Sequence, residues 1–494
     1  MTLWEQLPVL VVVVPLLAAP LCVVVDRPLP AWLVALGAAL LSFVCAIGLL
    51  LQVPDGGAIS YHLGGWAPPW GIEYRVDRLG AFVLLIVSAM ASLVMLYARR
   101  SVEDEIPADR AARFYGAFLL VLAGLLGIVA TGDAFNVFVF LEISSLASYA
   151  LISMGRDRRA LNAAFQYLIM GTIGATFILI GIGFLYMMTG TLNMQDLATR
   201  LPAVEDTRTV RAGFAFLTVG IGLKLALFPL HLWLPNAYAY APSIVSAFLA
   251  ATATKVALYV MLRFMLGLFG ADFALHEMPL DKILLVLGLL GILSASLVAI
   301  YQTDVKRMFA YSSVAQIGYM VLGIGVATAT GVTAAILHLF NHALMKGTLF
   351  LALGAVAYRL GTANLRELRG LGRRMPWTMG AMVVGGLSLI GVPPTVGFVS
   401  KWYLVLAVME RGWWPVALIV LIGSMLALVY VWRLVEVAYF QSPEDEIAAP
   451  CEAPLSMLVP IWLLVAANIY FGLATGLSVG SAREAAGLLM GGGG

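Results

Sequence analysis

The chain has 494 residues, of which 62% are hydrophobic and 11% charged, with a formal net charge of +2. A soluble domain carries about 25% charged residues, so a chain this poor in charge cannot cover a water-facing surface and must lie largely in lipid. That excludes a soluble enzyme, a nucleic-acid binder and a disordered scaffold. The three cysteines, Cys22, Cys45 and Cys451, lack metal-ligand spacing and imply neither a disulfide framework nor an iron–sulfur site.

A hydrocarbon core of about 30 Å takes about 20 helical residues per crossing. Apolar runs at 6–25, 31–53, 79–98, 114–131, 134–154, 161–189 and 211–236 give seven candidate spans. Seven more follow at 242–268, 280–301, 306–327, 331–357, 377–409, 414–440 and 455–478. The expected fold is therefore an all-α polytopic membrane protein of about fourteen helices. Long continuous runs argue against the alternating pattern of a β-barrel. The first run lacks a basic flank and a small-residue cleavage site, and reads as a retained span rather than a leader. The stretch 54–78, rich in proline and glycine, reads as a turn-rich external cap, and 99–113 as a solvated linker.

With the N-terminus outside, the inner loops collect Arg99, Arg100, Arg110, Arg113, Arg156, Arg158, Arg159, Arg373 and Arg374 among others, an excess of about two to one over the outer loops. The positive-inside rule then places both termini outside. No glycine-rich phosphate cradle, nucleotide fingerprint or haem-ligand pair is visible, so no cofactor and no metal is expected.

The informative residues are ionisable groups inside the apolar runs. Glu142 lies in FNVFVFLEISSLASYAL, Lys224 in TVGIGLKLALFPLHLWLP and Lys255 in VSAFLAATATKVALYVML. His338, His342 and Lys346 lie in AAILHLFNHALMKGTLF, and Lys401 follows LIGVPPTVGF. A central charge costs at least about 2.5–3.5 kcal/mol on insertion scales. One buried lysine can simply pair with a carboxylate to lock two helices. Here Lys224, Lys255 and Lys401 face a single central carboxylate, Glu142, and a purely structural network should balance its charge. Burial disfavours charged amines, so a row of them reads as a proton path. His338, His342 and Lys346 recur every four residues and line one helix face; the bland alternative is a satisfied polar stripe. His231, beside Trp233 and Pro235, is explained equally well by capping. Pro229 lies five residues after Lys224, and Pro393 and Pro394 precede Lys401. Proline removes a backbone donor, and the carbonyls it frees inside a membrane need another partner. A simple kink is the alternative, but each break adjoins a buried lysine.

The stretches HLWLPNAYAYAPSIVSAFLAATATKVALYVMLRF and DVKRMFAYSSVAQIGYMVLGIG resemble the antiporter-like subunits shared by Mrp-type multisubunit cation/proton antiporters, respiratory complex I and membrane-bound hydrogenases. The resemblance covers roughly 75–440 and implies inverted repeats of five helices, spans 4–8 and 9–13, with spans 7 and 12 discontinuous. It implies an N-terminal unit at 1–113, repeats at 114–268 and 280–440, and a last helix with a Gly-rich tail at 455–494. It also implies that Glu142 and Lys224 form a paired gate, that Lys255 connects the halves, and that His338 and Lys401 continue the route. His342 and Lys346 are secondary relay candidates. The tenth span offers Ser312, Ser313 and Gln316 but no counterpart of Glu142. A lysine in span 12 and the wording around Lys255 look most like the D-type subunits of Mrp antiporters, which implies A-, B-, C-, E-, F- and G-type partner subunits in a bacterial cell membrane, with protons and sodium as the ions moved. A complex I or hydrogenase paralogue is the alternative; in the former case the chain is part of an NADH:quinone oxidoreductase without a redox site of its own. A solute carrier would need a roomy substrate pocket, and a structural anchor would use the charges only for pairing.

Overall fold

The computed structural model describes residues 3–442 and 452–491; Cys451 and the last three glycines of the tail lie outside the described residues. The helices in chain order are α1 (Leu7–Val25), α2 (Pro28–Gln52), α3 (Arg78–Glu105), α4 (Ala108–Ala130), α5 (Ala134–Ser153), α6 (Arg159–Thr189), the short α7 (Met194–Arg200), α8 (Arg208–Leu225), α9 (Trp233–Tyr240) and α10 (Ser243–Met261). They continue as α11 (Leu280–Ile300), α12 (Val305–Gly325), α13 (Ala329–Leu360), the single turn α14 (Leu371–Arg374), α15 (Pro376–Ile390), α16 (Val396–Glu410), α17 (Trp414–Phe440), α18 (Leu455–Leu473) and α19 (Gly476–Leu489). Among the described residues, twelve helices are long and apolar enough to cross a membrane. The two remaining expected spans, 211–236 and 377–409, are each split in two, as α8 with α9 and α15 with α16.

Two stretches differ from their sequence reading. The cap at 54–78 contains an antiparallel hairpin, β1 (Ala58–His62) and β2 (Glu73–Asp77), with Ala58 opposite Asp77 and His62 opposite Glu73. The alternation Ile59, Tyr61 inward and Tyr74, Val76 inward is only five residues long per strand, too short to stand out beside the glycines and prolines. The supposed linker at 99–113 is helical except at Ile106 and Pro107, where α3 gives way to α4. Arg99 pairs with Glu103 at 3.1 Å one turn on, so the mixed charges support the helix rather than mark a loop.

The long helix α13 forms the axis of the molecule. It packs against α3, α10, α12, α15, α16 and α18, and its membrane window is wholly buried. Such a position leaves no face for lipid, so its polar residues must find partners in protein. Close helix approach depends on missing side chains in places: a Cβ on Gly318 of α12 would lie 2.8 Å from the Gly288 carbonyl of α11, a contact real Cβ atoms do not make.

One local device occurs twice. Asp133 accepts from the Asn136 amide at 2.7 Å and caps α5, while Asn193 accepts from the Gln195 and Asp196 amides and caps α7. The two segments are tied by Ala134 N–H to Leu192 O and Met194 N–H to Gly132 O. Asp304 caps α12 through the Arg307 amide and Asn364 accepts from the Arg366 amide. Here Val305 N–H donates to Ala363 O and Leu365 N–H to Thr303 O, the same crossed pair. Sixty residues separate aspartate from asparagine in both copies. The first clasp adjoins β2, through the Tyr74–Thr131 bridge. The second lies at the other end of the bundle, where Lys306 donates to Ala241 O at 3.3 Å and Arg159 stacks on Tyr240. The two copies therefore have opposite orientations across the bundle.

Candidate functional site

Each broken span ends its first half on a buried lysine or its carbonyl partners. In α8, Lys224 is the penultimate residue; the backbone then turns left-handed at Ala226, with φ 59°, and passes Pro229 before α9 begins. The break frees the Leu223 carbonyl, which accepts from Trp233 Nε1 at 3.0 Å. In the second break α15 ends at Ile390, Gly391 caps it with φ 93°, and Pro393 and Pro394 lead into α16. The carbonyls freed there, Leu389 O and Ile390 O, accept from Lys401 Nζ at 3.0 and 2.9 Å. The ammonium thus sits against the C-terminal end of a half-helix, where the peptide dipoles favour positive charge. Pro229, Pro393 and Pro394 lie where the sequence places them, inside breaks rather than simple kinks.

Glu142 and Lys224 come together. Lys224 Nζ lies 3.5 Å from Glu142 Oε1 and 2.8 Å from Ser145 Oγ, one turn further along α5. The lysine is buried, whereas the Glu142 side chain keeps a quarter of its surface exposed. Among the described residues this is the only ion pair that involves a lysine. A cavity of about 20 Å³, large enough for one water, is lined by Lys224, Ser144, Ser145 and Ser148 on one side and by Ala253, Val256 and Ala257 of α10 on the other. It separates Lys224 from the helix that carries Lys255.

Lys255 is completely buried. Its Nζ donates to the Ala250 carbonyl and to Thr254 Oγ1, with no carboxylate among its partners. It lies within electrostatic range of His338, His342 and Lys346 on α13. Lys346 Nζ donates to Phe309 O at 2.7 Å and to Ser312 Oγ at 2.5 Å. The His342 ring is parallel to that of His338, with centroids 6.1 Å apart, and neither of its nitrogens has a partner among the described residues. A buried polar atom without a partner is costly, so this ring marks a point of unused hydrogen-bonding capacity inside the bundle. His338 is fully satisfied: Nδ1 lies 2.8 Å from Ser400 Oγ and Nε2 2.9 Å from Gln316 Oε1.

Ser400 adjoins Lys401 in sequence, so the histidine is bonded to the residue before the lysine. Beyond the two carbonyls, Lys401 Nζ donates to Ser424 Oγ at 2.9 Å and lies 4.8 Å from the Tyr319 ring centroid. Lys401 and Ser424 also line a mainly apolar groove of about 510 Å³ between α16 and α17. His231 stays outside this series. It is buried in the α8–α9 break, stacked on Phe228 at 5.4 Å.

The order along the chain of polar groups is thus Glu142 and Lys224, Lys255, then Lys346, His342 and His338, and finally Lys401. Ser145, Ser400, Ser424 and Tyr319 were missed by sequence reasoning. Serine and tyrosine occur freely in apolar helices, and no spacing rule distinguishes those that meet a lysine on another helix. The duplicated clasp did have a signal. Thr191–Leu197, TLNMQDL, and Thr362–Leu368, TANLREL, share threonine, asparagine, acid and leucine at identical spacing.

Residues 131–427 match the family model described as NADH:quinone oxidoreductase/Mrp antiporter, TM. The chain is 42% identical to the N-type subunit of the NADH-quinone oxidoreductase of Desulforudis audaxviator, over 95% of this chain and 96% of the relative. It is 30% identical to the D-type subunit of the Na(+)/H(+) antiporter of Bacillus subtilis, over 94% of each. Its fold superposes on a chain of the Mrp complex from Dietzia sp. DQ12-45-1b with a TM-score of 0.90 and 26% identity, covering 99% of this chain and 98% of that one. The protein is a multi-pass membrane protein of the NADH:quinone oxidoreductase/Mrp antiporter family, an antiporter-like subunit of the kind that Mrp antiporters share with complex I.

Proposed function

We propose that this chain translocates protons through a multisubunit membrane complex, along Glu142–Lys224, Lys255, the His342–Lys346 face, His338 and Lys401. The observation that carries this reading is the series of buried lysines and histidines with one carboxylate, Glu142, at its start. Lys224 stays charged while Glu142 is near, since opposite charges 3.5 Å apart attract by about 2.4–4.7 kcal/mol at an effective dielectric of about 40 to 20. Separation of the pair releases a proton toward Lys255, through the water-sized cavity between α5 and α10. Lys255 connects the two halves, and within the second half His338 links α12 to α16 by holding Gln316 on one nitrogen and Ser400, the neighbour of Lys401, on the other. The repeats then correspond to 114–268 and 280–440, and the opposite orientation of the two clasps supports that division.

The complex is, in this reading, a sodium/proton antiporter in which A-, B-, C-, E-, F- and G-type subunits surround the chain in a bacterial cell membrane, both termini outside. The groove beside Lys401 supports a neighbouring membrane subunit on that flank, because an ammonium that close to an outward-facing groove is costly in bare lipid. The likeness to the N-type oxidoreductase subunit at 42% identity favours a second reading, a proton-pumping subunit of a quinone oxidoreductase.

Vesicles containing the whole complex test both. Sodium added to acid-loaded vesicles should discharge the pH gradient without a redox substrate, and Lys224→Ala or Glu142→Ala should abolish the discharge. Gradient formation only on supplying a reductant for quinone supports the second reading instead. Near-normal transport in both variants removes proton translocation by this path.

A further inference from the structure

Below the Lys224 cavity, toward the hairpin end of the bundle, lies a second polar cluster that the path above does not use. Lys255, Tyr259 and Arg263 recur at four-residue spacing and share one face of α10 and its continuation. One such step is about 6 Å along a helix. The continuation, Leu262–Leu268, is wound as a π-helix, a local form concentrated at functional positions. Tyr259 Oη donates to Val129 O on α4 at 2.9 Å and accepts from Arg263 Nε at 2.9 Å. Arg263 grips Asp77 with both terminal nitrogens, Nη1 to Oδ2 at 2.6 Å. A Cβ on Gly80 would lie 3.4–3.6 Å from Asp77, Arg263 and Tyr259 alike, so the three polar groups converge on one point.

This cluster lines a cavity of about 90 Å³ together with Arg75, Thr131 and Gln195, room for several waters. Gln195 is exposed, so the cavity reaches the surface at the hairpin end. Ile128 of α4 lines this cavity and also the smaller one at Lys224. On α10 the two are separated by less than a turn, Val256 and Ala257 on one and Tyr259 and Val260 on the other. Among the described residues Ile128 is thus the one that lines both cavities, one touching Lys224 and the other opening to the surface.

We infer that this vestibule is a second proton mouth, joining the Lys224–Lys255 half of the path to the hairpin face, with Ile128 as its dry barrier and Asp77 as its outermost carboxylate. The inference rests on the proton-path reading. In the conformation described, Ile128 separates the cavities and the Asp77–Arg263 pair closes the column from Lys255. Displacement of Ile128 would let water connect Lys224 Nζ to Tyr259 Oη, and a proton would pass by exchange along hydroxyl and water to the Asp77 carboxylate. The charged groups facing Asp77 are Arg263 from the α10 continuation and Arg75 from β2.

The test uses the whole complex in vesicles, with Cys22, Cys45 and Cys451 replaced. Gln195→Cys or Ala198→Cys, both lining the vestibule, is treated with a membrane-impermeant, positively charged thiol reagent, and transport is compared before and after treatment within the same variant. The expected result is labelling and a several-fold fall in rate, together with slower transport in Tyr259→Phe, which keeps the ring but loses the hydroxyl. Ile128→Ala should raise passive proton leak several-fold. Full labelling with unchanged rate overturns the inference, and so does absence of labelling, since a hydrated mouth must admit the reagent. If Lys224→Ala abolishes transport while the reagent and Tyr259→Phe do nothing, only the second mouth falls. If Lys224→Ala leaves transport intact, the path itself falls.

Discussion

The Glu142–Lys224 pair separates a charge effect from a packing effect. At 3.5 Å and an effective dielectric near 20, the attraction is about 4.7 kcal/mol. The exposed quarter of the Glu142 side chain lets water screen part of this, and a dielectric near 40 brings it to about 2.4 kcal/mol. Glu142→Gln keeps the shape and a hydrogen-bonding oxygen but removes the whole charge term. Glu142→Asp keeps the charge and withdraws it by one methylene, to about 5 Å, which costs about 1.4 kcal/mol at a dielectric near 20, or about tenfold in an equilibrium. The expected order of proton-coupled transport in vesicles is therefore Glu, then Asp about three- to tenfold lower across dielectrics of about 40 to 20, then Gln lower by about fiftyfold or more. Subunit assembly, followed by co-purification, should be unaffected, because the neutral variant retains its contact with α8. If Gln transports as well as Glu while Asp is impaired, side-chain length rather than charge governs the site, and the switching mechanism is wrong.

Three further outcomes follow from the geometry. Ser424→Ala removes one of the three acceptors of Lys401 Nζ; a hydrogen bond to a charged group contributes about 1.5–3 kcal/mol, so transport should drop about tenfold or more, yet remain above that of Lys401→Ala. Gly391→Ala places a Cβ 3.0 Å from Lys401 Cδ on a residue with φ 93°, and thermal unfolding of the purified complex should show a loss of about 1–3 kcal/mol. Burial raises the pKa of the Asp77 carboxyl, but the charge and hydrogen bonds of Arg263, the Gly80 amide and the charge of Arg75 outweigh burial and hold it below the usual carboxylate range. A depressed carboxylate contributes stability that is present above its unfolded pKa and lost as pH falls through the folded one. The complex should accordingly lose stability below about pH 4, and Asp77→Asn should be less stable at neutral pH with a flatter acid limb in thermal melts.

The spans were legible because each is a run of apolar residues longer than lipid requires, and the breaks were legible because proline cannot continue the backbone ladder. Buried charge identified Glu142, Lys224, Lys255, His338 and Lys401 for the same elementary reason: such residues are costly in lipid. What was not legible is which residue meets which. Lys224 bonds to Ser145 and Lys401 to Ser424 across helices whose packing is set by many small contacts, including the bare glycine surfaces of α11 and α12. The hairpin escaped because two five-residue strands cannot be told from a loop by periodicity alone. The helical turn at Arg99–Glu103 escaped because its charges masked a continuing helix.

The matched clasps carry a consequence for ancestry and for engineering. Two stretches of equal length, closed by the same aspartate and asparagine and running in opposite directions through the bundle, are the pattern that duplication of one gene segment would leave. Their termini are interchangeable in backbone geometry, so 133–193 and 304–364 form natural cassettes: chimeras spliced at those residues keep the closing bonds and confine any incompatibility to the helix faces between them.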